Sequence, residues 1–300
     1  MNYSPKKMTE LLDSNEFAFK KKFGQNFIID ENIINNITLK ANIDKDTLVI
    51  EVGPGAGSLT NIIAKYAKNV ICYEIDTSLE NILKTNLKEH NNIEIIYGDF
   101  LKADILKDLK KYEYKKLYVV ANLPYYITTP IIMKLIDDNI LVDKIVVMVQ
   151  KEVGDRINAK VGSKEYGSLT VFLNYFFNIK KELDVSKNVF IPKPKVDSIV
   201  ISFTRKEKLE EVNNKELFFN LIRDSFKQKR KTLRNNLKAY DLDIIEKELK
   251  KVGFDLSVRA EQLPLSVFIQ LANALGGTYD WKRIWWNVRW NWFSQWWFCK

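Results

Sequence analysis

The chain has 300 residues, 46% hydrophobic and 28% charged, the balance of a folded protein with one large or two modest domains. Its formal charge of +9 favours a polyanionic partner, although a lysine-rich surface can equally be no more than a solvated one. Two cysteines, Cys72 and Cys299, without a CxxC pair argue against a disulfide framework and a metal site, and a single histidine, His90, removes most histidine-dependent catalysis.

The N-terminal segment, residues 1–22, is polar and basic and lacks the apolar stretch of a secretory signal. No run of about 18 apolar residues occurs anywhere, so no membrane insertion is expected, and the cysteine usage fits a reducing, cytoplasmic setting with no metal. From about residue 47, short apolar runs alternate with amphipathic stretches, the rhythm of a parallel sheet flanked by helices. The predicted strands are Thr47–Val52, Val70–Tyr73, Ile93–Tyr97, Leu117–Ala121, Lys144–Val149, Leu169–Phe177 and Asp197–Phe203. The last two, joined through the proline-bearing segment Phe190–Pro194, suggest a final antiparallel hairpin. Strand signals stop at Arg205, and Lys206–Leu275 reads as three or four helices, including Lys215–Lys231 and Leu242–Val252. The expected domains are therefore 23–205 and a smaller helical domain, 206–275.

Residues 276–300 break the pattern. All seven tryptophans (Trp281, Trp285, Trp286, Trp290, Trp292, Trp296 and Trp297) lie in the last 20 residues, after Gly276–Gly277. So abrupt a change reads as a non-native extension; an aromatic segment for a membrane surface or a partner is the alternative.

The chemistry-bearing residues fall at strand ends. Glu51–Val52–Gly53–Pro54–Gly55–Ala56–Gly57 leaves the first strong strand and enters a helix at Ser58. Glycines at Gly53 and Gly55 let the backbone turn tightly against a ligand, and the helix N-terminus offers free N–H groups. The spacing departs from GxGxxG, and an ordinary strand-to-helix turn remains open. Glu74, at the end of the second strand, can accept from both hydroxyls of a ribose, which NAD would also supply. Asp99 can accept from an adenine amino group while Phe100 packs on the base, or it can simply cap a helix.

Asn122–Leu123–Pro124–Tyr125 ends the fourth strand. An exocyclic adenine amine is a poor nucleophile because its lone pair is delocalised into the ring. The Asn122 side-chain oxygen and the Pro124 carbonyl can hold its two hydrogens and turn the lone pair toward a methyl donor, with Tyr125 stacked on the extruded base. A sulfonium donor carries its own leaving group, so neither histidine nor metal is required.

These segments closely resemble the bacterial small-subunit ribosomal RNA adenine dimethyltransferases, and more distantly the erythromycin-resistance ribosomal RNA methyltransferases. The resemblance covers about residues 18 to 275. It rests on KFGQNFIID at 22–30, EVGPGAG at 51–57, Asp99–Phe100, NLPYYITTP at 122–130, VFIPKPKVDS at 189–198 and KRKTLRNNL at 229–237. The last two segments favour the dimethyltransferases over their resistance relatives.

The resemblance implies a Rossmann-like class I methyltransferase sheet of seven strands, the last antiparallel, with a small C-terminal helical domain. It implies S-adenosyl-L-methionine as cofactor: Asn26 and Ile28 on its methionine side, Gly53 and Gly55 as backbone cradle, Glu74 at the ribose, Asp99 and Phe100 at the adenine, and Asn122 adjoining. Asn122 would orient the target amine, with Tyr125 on one face of the base and Phe190 on the other. Bland alternatives are a helix cap for Gln25–Asn26 and a hydrophobic plug for Phe190. The implied substrate is two adjacent adenosines of the 3′-terminal hairpin of 16S ribosomal RNA, in the small ribosomal subunit, each becoming N6,N6-dimethyladenosine during ribosome biogenesis. A monomer is expected.

In the helical domain Arg223, Lys227, Lys229, Arg230, Lys231, Arg234 and Lys238 include positions three or four apart, which predicts a shared helix face for RNA phosphates, against the alternative of a solvated charged face. Competing functions are methylation of a large-subunit adenosine, giving antibiotic resistance, and an assembly factor that keeps the cofactor only as a structural ligand. Asn122 and Tyr125 argue against the latter, because a binding module has no need to activate an amine.

Overall fold

The computed structural model describes residues 10, 12, 14, 17, 19, 20, 24–124 and 127–276. Its contacts fall into two compact units, one drawn from Met1–Gly154 and Ile179–Arg205, the other from Asp155–Asn178 and Lys206–Lys300. Sequence reasoning placed one boundary after Arg205; contact grouping also assigns 155–178 to the helical unit.

The first unit opens with β1 (Phe27–Ile28) and α1 (Glu31–Ala41). Strands β2 (Thr47–Val52), β3 (Asn69–Glu74), β4 (Ile93–Tyr97), β5 (Lys116–Asn122) and β6 (Lys144–Gln150) then alternate with α2 (Ser58–Tyr66), α3 (Glu80–Leu87), α4 (Ile105–Leu109) and α5 (Thr128–Asp137). The helix α6 (Lys151–Ile157) and α7 (Ser168–Phe176) precede β7 (Phe177–Val185), β8 (Phe190–Ile191) and β9 (Ser198–Arg205).

Seven strands form one sheet in the order β4-β3-β2-β5-β6-β9-β7. The pairs from β4 to β6 are parallel, whereas β9 runs antiparallel to β6, from Lys144↔Thr204 to Gln150↔Ser198. All six residues of β2 are buried, as the continuous apolar run of a strand covered on both faces requires. Val49, Val70, Val120 and Val146 pack with Ile34 and Ile37 of α1. That helix starts where Asp30 accepts from the N–H groups of Asn32 and Ile33, and it stops at Asn42, whose φ of 55° is left-handed. Separately, β1 pairs with β8, with Phe27 opposite Ile191 and Ile28 opposite Phe190.

The predicted strand Leu169–Phe177 is corrected: residues 168–176 are helix α7, and the strand beside β9 is Phe177–Val185. Leu169, Val171, Phe172, Leu173 and Tyr175 are all buried, so this helix is apolar nearly all round and its sequence carries no telling period.

In the second unit α8 (Lys215–Ser225), α9 (Leu233–Asn236), α10 (Leu242–Lys251) and α11 (Leu265–Gly276) follow β9. Phe218, Leu221, Leu233, Ile245, Leu249, Phe268 and Leu271 form its core together with Val171 and Tyr175 of α7. Each such side chain contributes about 1.5–3 kcal/mol through burial. Among the described residues no helix is long and apolar enough to cross a membrane. The reading of the tryptophan-rich tail falls, from residue 277 onward, outside the described residues.

Candidate active site

Strand order reverses at β2, which has β3 on one side and β5 on the other. Chain leaving the carboxyl ends of these strands diverges there, and a crevice opens at such a switch point. A cavity of about 250 Å³ lies at this place, lined by Asn26, Ile28, Gly53, Gly55, Glu74, Asp99, Phe100, Asn122 and Pro124. Residues that sequence reasoning drew from five separate segments thus share one cavity. Tyr125 lies outside the described residues.

The glycine loop is shaped by two constraints. Gly53 has φ of +73° and Gly55 φ of +60°, backbone that L side chains rarely adopt. A Cβ on Gly55 would also stand 2.8 Å from the ring of Phe27. Glu74 closes β3 almost fully buried; one carboxylate oxygen accepts from the Gly55 N–H at 3.1 Å and the other from the Asp76 N–H at 2.8 Å. Burial pushes its carboxyl up to about 7, with those two N–H groups pulling the other way.

Asp99 accepts from the Leu101 N–H at 3.0 Å and caps the short 3-10 turn Phe100–Lys102, so the capping role and a place on the cavity wall coexist. Phe100 is buried edge-on against Tyr73, ring centres 5.1 Å apart. On the N-terminal segment the Asn26 side chain donates to the Gly24 carbonyl at 3.0 Å. The cap of α1 is Asp30, which removes the helix-cap alternative for Gln25–Asn26. Asn122 donates from Nδ2 to the Asn26 carbonyl at 2.9 Å.

Phe190 is not brought to this cavity. It is 3% exposed and packs in the core with Ile28, Val185 and Val200, the plug arrangement rather than an open stacking face. An aromatic ring between strand residues gains more from burial than from facing solvent.

Helix α8 ends at Ser225, not Lys231, because 227–231 supply no apolar residue to extend its buried stripe. The Asn236 side chain caps the exit, donating to the carbonyls of Ser225 at 2.7 Å and Gln228 at 3.2 Å. Lys227, Lys229, Arg230 and Lys231 therefore lie exposed in a turn, Arg223 closes α8 and Arg234 stands on α9. Exposed cations on one connection still suit a phosphate backbone, but by a different geometry.

Sequence reasoning gave no role to Glu51 or Asp76 and read Gln25 only as part of a helix cap. Glu51 is 1% exposed and lines the cavity; burial pushes its carboxyl up to about 8, and the charge of Glu74 acts in the same direction. An acid closing an otherwise apolar strand was the available signal. Gln25 and Asp76 gave none, since their partners lie about fifty residues apart.

A family model for ribosomal RNA adenine dimethylases matches residues 16–276. The chain belongs to the ribosomal RNA adenine dimethylase family. Proteins called ribosomal RNA small subunit methyltransferase A from Staphylococcus aureus and Listeria monocytogenes are each 46% identical to it, over 89% and 91% of this chain and 93% and 96% of their own. Among solved structures, a dimethyladenosine transferase from Plasmodium falciparum is similar at 29% identity and a TM-score of 0.67, covering 82% of this chain and 95% of that one. The 23S ribosomal RNA methyltransferase ErmE is similar at 26% identity and a TM-score of 0.68, covering 83% and 99%. This dimethylase is an S-adenosylmethionine-dependent ribosomal RNA adenine methyltransferase with the class I methyltransferase fold. Its cavity fits that cofactor: buried carboxyls suit a cation bearing ribose hydroxyls, and the glycine loop leaves no side chain at Gly53, where a Cβ would meet nothing within 4 Å.

Proposed function

We propose that this dimethylase converts two adjacent adenosines in the 3′-terminal hairpin of 16S ribosomal RNA to N6,N6-dimethyladenosine, acting as a monomer on the small ribosomal subunit in the cytoplasm during ribosome biogenesis. The two relatives at 46% identity, both called small-subunit methyltransferases, support this subunit. A large-subunit target has the weaker support of ErmE at 26% identity.

S-adenosylmethionine supplies the methyl group as a sulfonium, so its departure needs no proton donor. In this reading Asn26 and Ile28 adjoin its methionine part, Gly53 and Gly55 cradle it, Glu74 accepts from the ribose hydroxyls, and Asp99 with Phe100 holds the adenine. Asn122 Oδ1 and the Pro124 carbonyl accept the two hydrogens of the target amine, and Tyr125 stacks on its base. Phe190 would meet the other face only if it left its buried place. Arg223, Lys227, Lys229, Arg230, Lys231 and Arg234 engage RNA phosphates.

The observation that carries the proposal is the Asn122 amide. Its Nδ2 is committed to the Asn26 carbonyl, which keeps Oδ1 as an acceptor at the cavity that also holds Glu74 and Asp99. The test is transfer of labelled methyl to unmodified small subunits, with nucleoside analysis and an Asn122→Ala control. Dimethyladenosine at two adjacent hairpin positions, lost in the control, supports the reading. Labelling of large-subunit RNA alone would overturn it, and tight subunit binding without any labelling would point to an assembly factor.

A further inference from the structure

The polar side of the N-terminal segment is tied down by one carboxylate. Lys20 donates from Nζ to Asp76 Oδ1 at 2.6 Å and to Ser78 Oγ at 2.9 Å, and Gln25 donates from Nε2 to Asp76 Oδ2 at 2.7 Å. The Lys20 backbone N–H donates in turn to Gln25 Oε1 at 3.0 Å, so both ends of the Gln25 amide are held. Asp76 is only 1% exposed. Burial pushes its carboxyl up, but the bonds from Lys20, Ser78 and Gln25 outweigh this and hold it below the ordinary value. A buried carboxylate with donors on both oxygens is more than an exposed connection after β3 needs.

The apolar side is tied down as well. Phe27 packs against Phe17 and Phe19, ring centres 5.8 and 5.4 Å away, and its ring covers Gly55. Between these two anchorages stands Asn26, whose carbonyl accepts from Asn122 Nδ2. A carbonyl cannot donate. If the Asn122 amide turned over, two oxygens would face each other, so a fixed Asn26 carbonyl decides which end of that amide remains for a substrate.

We propose that Asp76 is a positioning residue for methyl transfer: by clamping Gln25 and Lys20 it holds the Asn26 carbonyl against the Asn122 amide and keeps Oδ1 toward the target amine. The same residue gives its backbone N–H to Glu74, so the cofactor side and the target side are registered by one short segment. The proposal rests on Asn122 being the acceptor for that amine.

The test is single-turnover methyl transfer to unmodified small subunits at saturating cofactor, with melting temperature and cofactor affinity measured alongside. The enzymes are wild type, Gln25→Leu, Asp76→Asn, Asn122→Ala and the double variant Gln25→Leu with Asn122→Ala. Gln25→Leu and Asp76→Asn should each slow transfer about tenfold or more, with the KM for subunits within about twofold. Gln25→Leu should add less than about twofold to the loss caused by Asn122→Ala, because the clamp acts through that side chain. Wild-type rates in Gln25→Leu and Asp76→Asn, or losses that multiply in the double variant, overturn the proposal. An Asn122→Ala enzyme at wild-type rate instead removes the acceptor reading, and the clamp with it. Should Gln25→Leu fail to fold, Lys20→Met takes its place in the same comparison.

Discussion

Asn122 Nδ2 lies 2.9 Å from the carbonyl oxygen of Asn26, joining the end of β5 to a segment 96 residues earlier in the chain. If Oδ1 of that amide takes a hydrogen of the target amine as charge develops on it, Asn122→Ala should slow methyl transfer by about 10²–10³-fold. Cofactor affinity should fall far less. Single-turnover rates set beside calorimetric binding separate the two effects, and parallel losses would mean that Asn122 serves the cofactor alone.

Glu51 and Glu74 give the cofactor-free protein a pH signature. Burial raises their carboxyls from 4.5 to about 8 and about 7, so between those values the folded state holds protons that the unfolded chain releases. Their stabilising contribution is full below pH 4.5 and is lost as pH rises through about 7 and 8. The melting temperature should therefore drop from about pH 5 to about pH 8 and level off above that, less steeply in Glu51→Gln. A cationic cofactor favours the ionised pair, so its affinity should rise over the same window with proton release. Calorimetry in buffers of different ionisation enthalpy reads that release.

Gly55→Ala combines a left-handed φ with a Cβ 2.8 Å from the Phe27 ring. The variant should lose about 1–3 kcal/mol in urea unfolding. Cofactor affinity should fall as well, because relief of the clash shifts either the loop or Phe27.

In the helical unit Phe218 is fully buried among Tyr175, Phe219 and the residues of α11. Phe218→Ala leaves a cavity that rigid helices fill only in part, and should cost about 3–5 kcal/mol. Urea unfolding followed by circular dichroism measures it.

Arg230 and Arg234 are exposed, on the turn after α8 and on α9. Neutralising both to Gln should weaken RNA binding about equally across sequences and lower the slope of log affinity against log salt by about 2. A slope equal to that of wild type would mean that these two side chains touch no phosphate.

The sequence alone determined the parallel core and most of the cavity. Strands such as Thr47–Val52 are mostly apolar and bounded by glycine or acid, so their ends are local properties. Gly53, Glu74, Asp99 and Asn122 were legible because each terminates such a strand, and parallel strands carry their carboxyl ends to one edge.

What only the tertiary structure decided depends on contacts between distant segments. Residues 168–176 are apolar nearly all round, and burial in the helical unit, not period, made them a helix. The lack of apolar residues at 227–231 is legible in the sequence, but the Asn236 side chain that holds the Ser225 and Gln228 carbonyls in the turn is not. Phe190 reads alike as a platform or a plug until its pairing with Ile28 buries it. The Asp76 clamp and the raised carboxyls of Glu51 and Glu74 arise from donors and desolvation that folding alone brings together, which is why no spacing in the chain announced them.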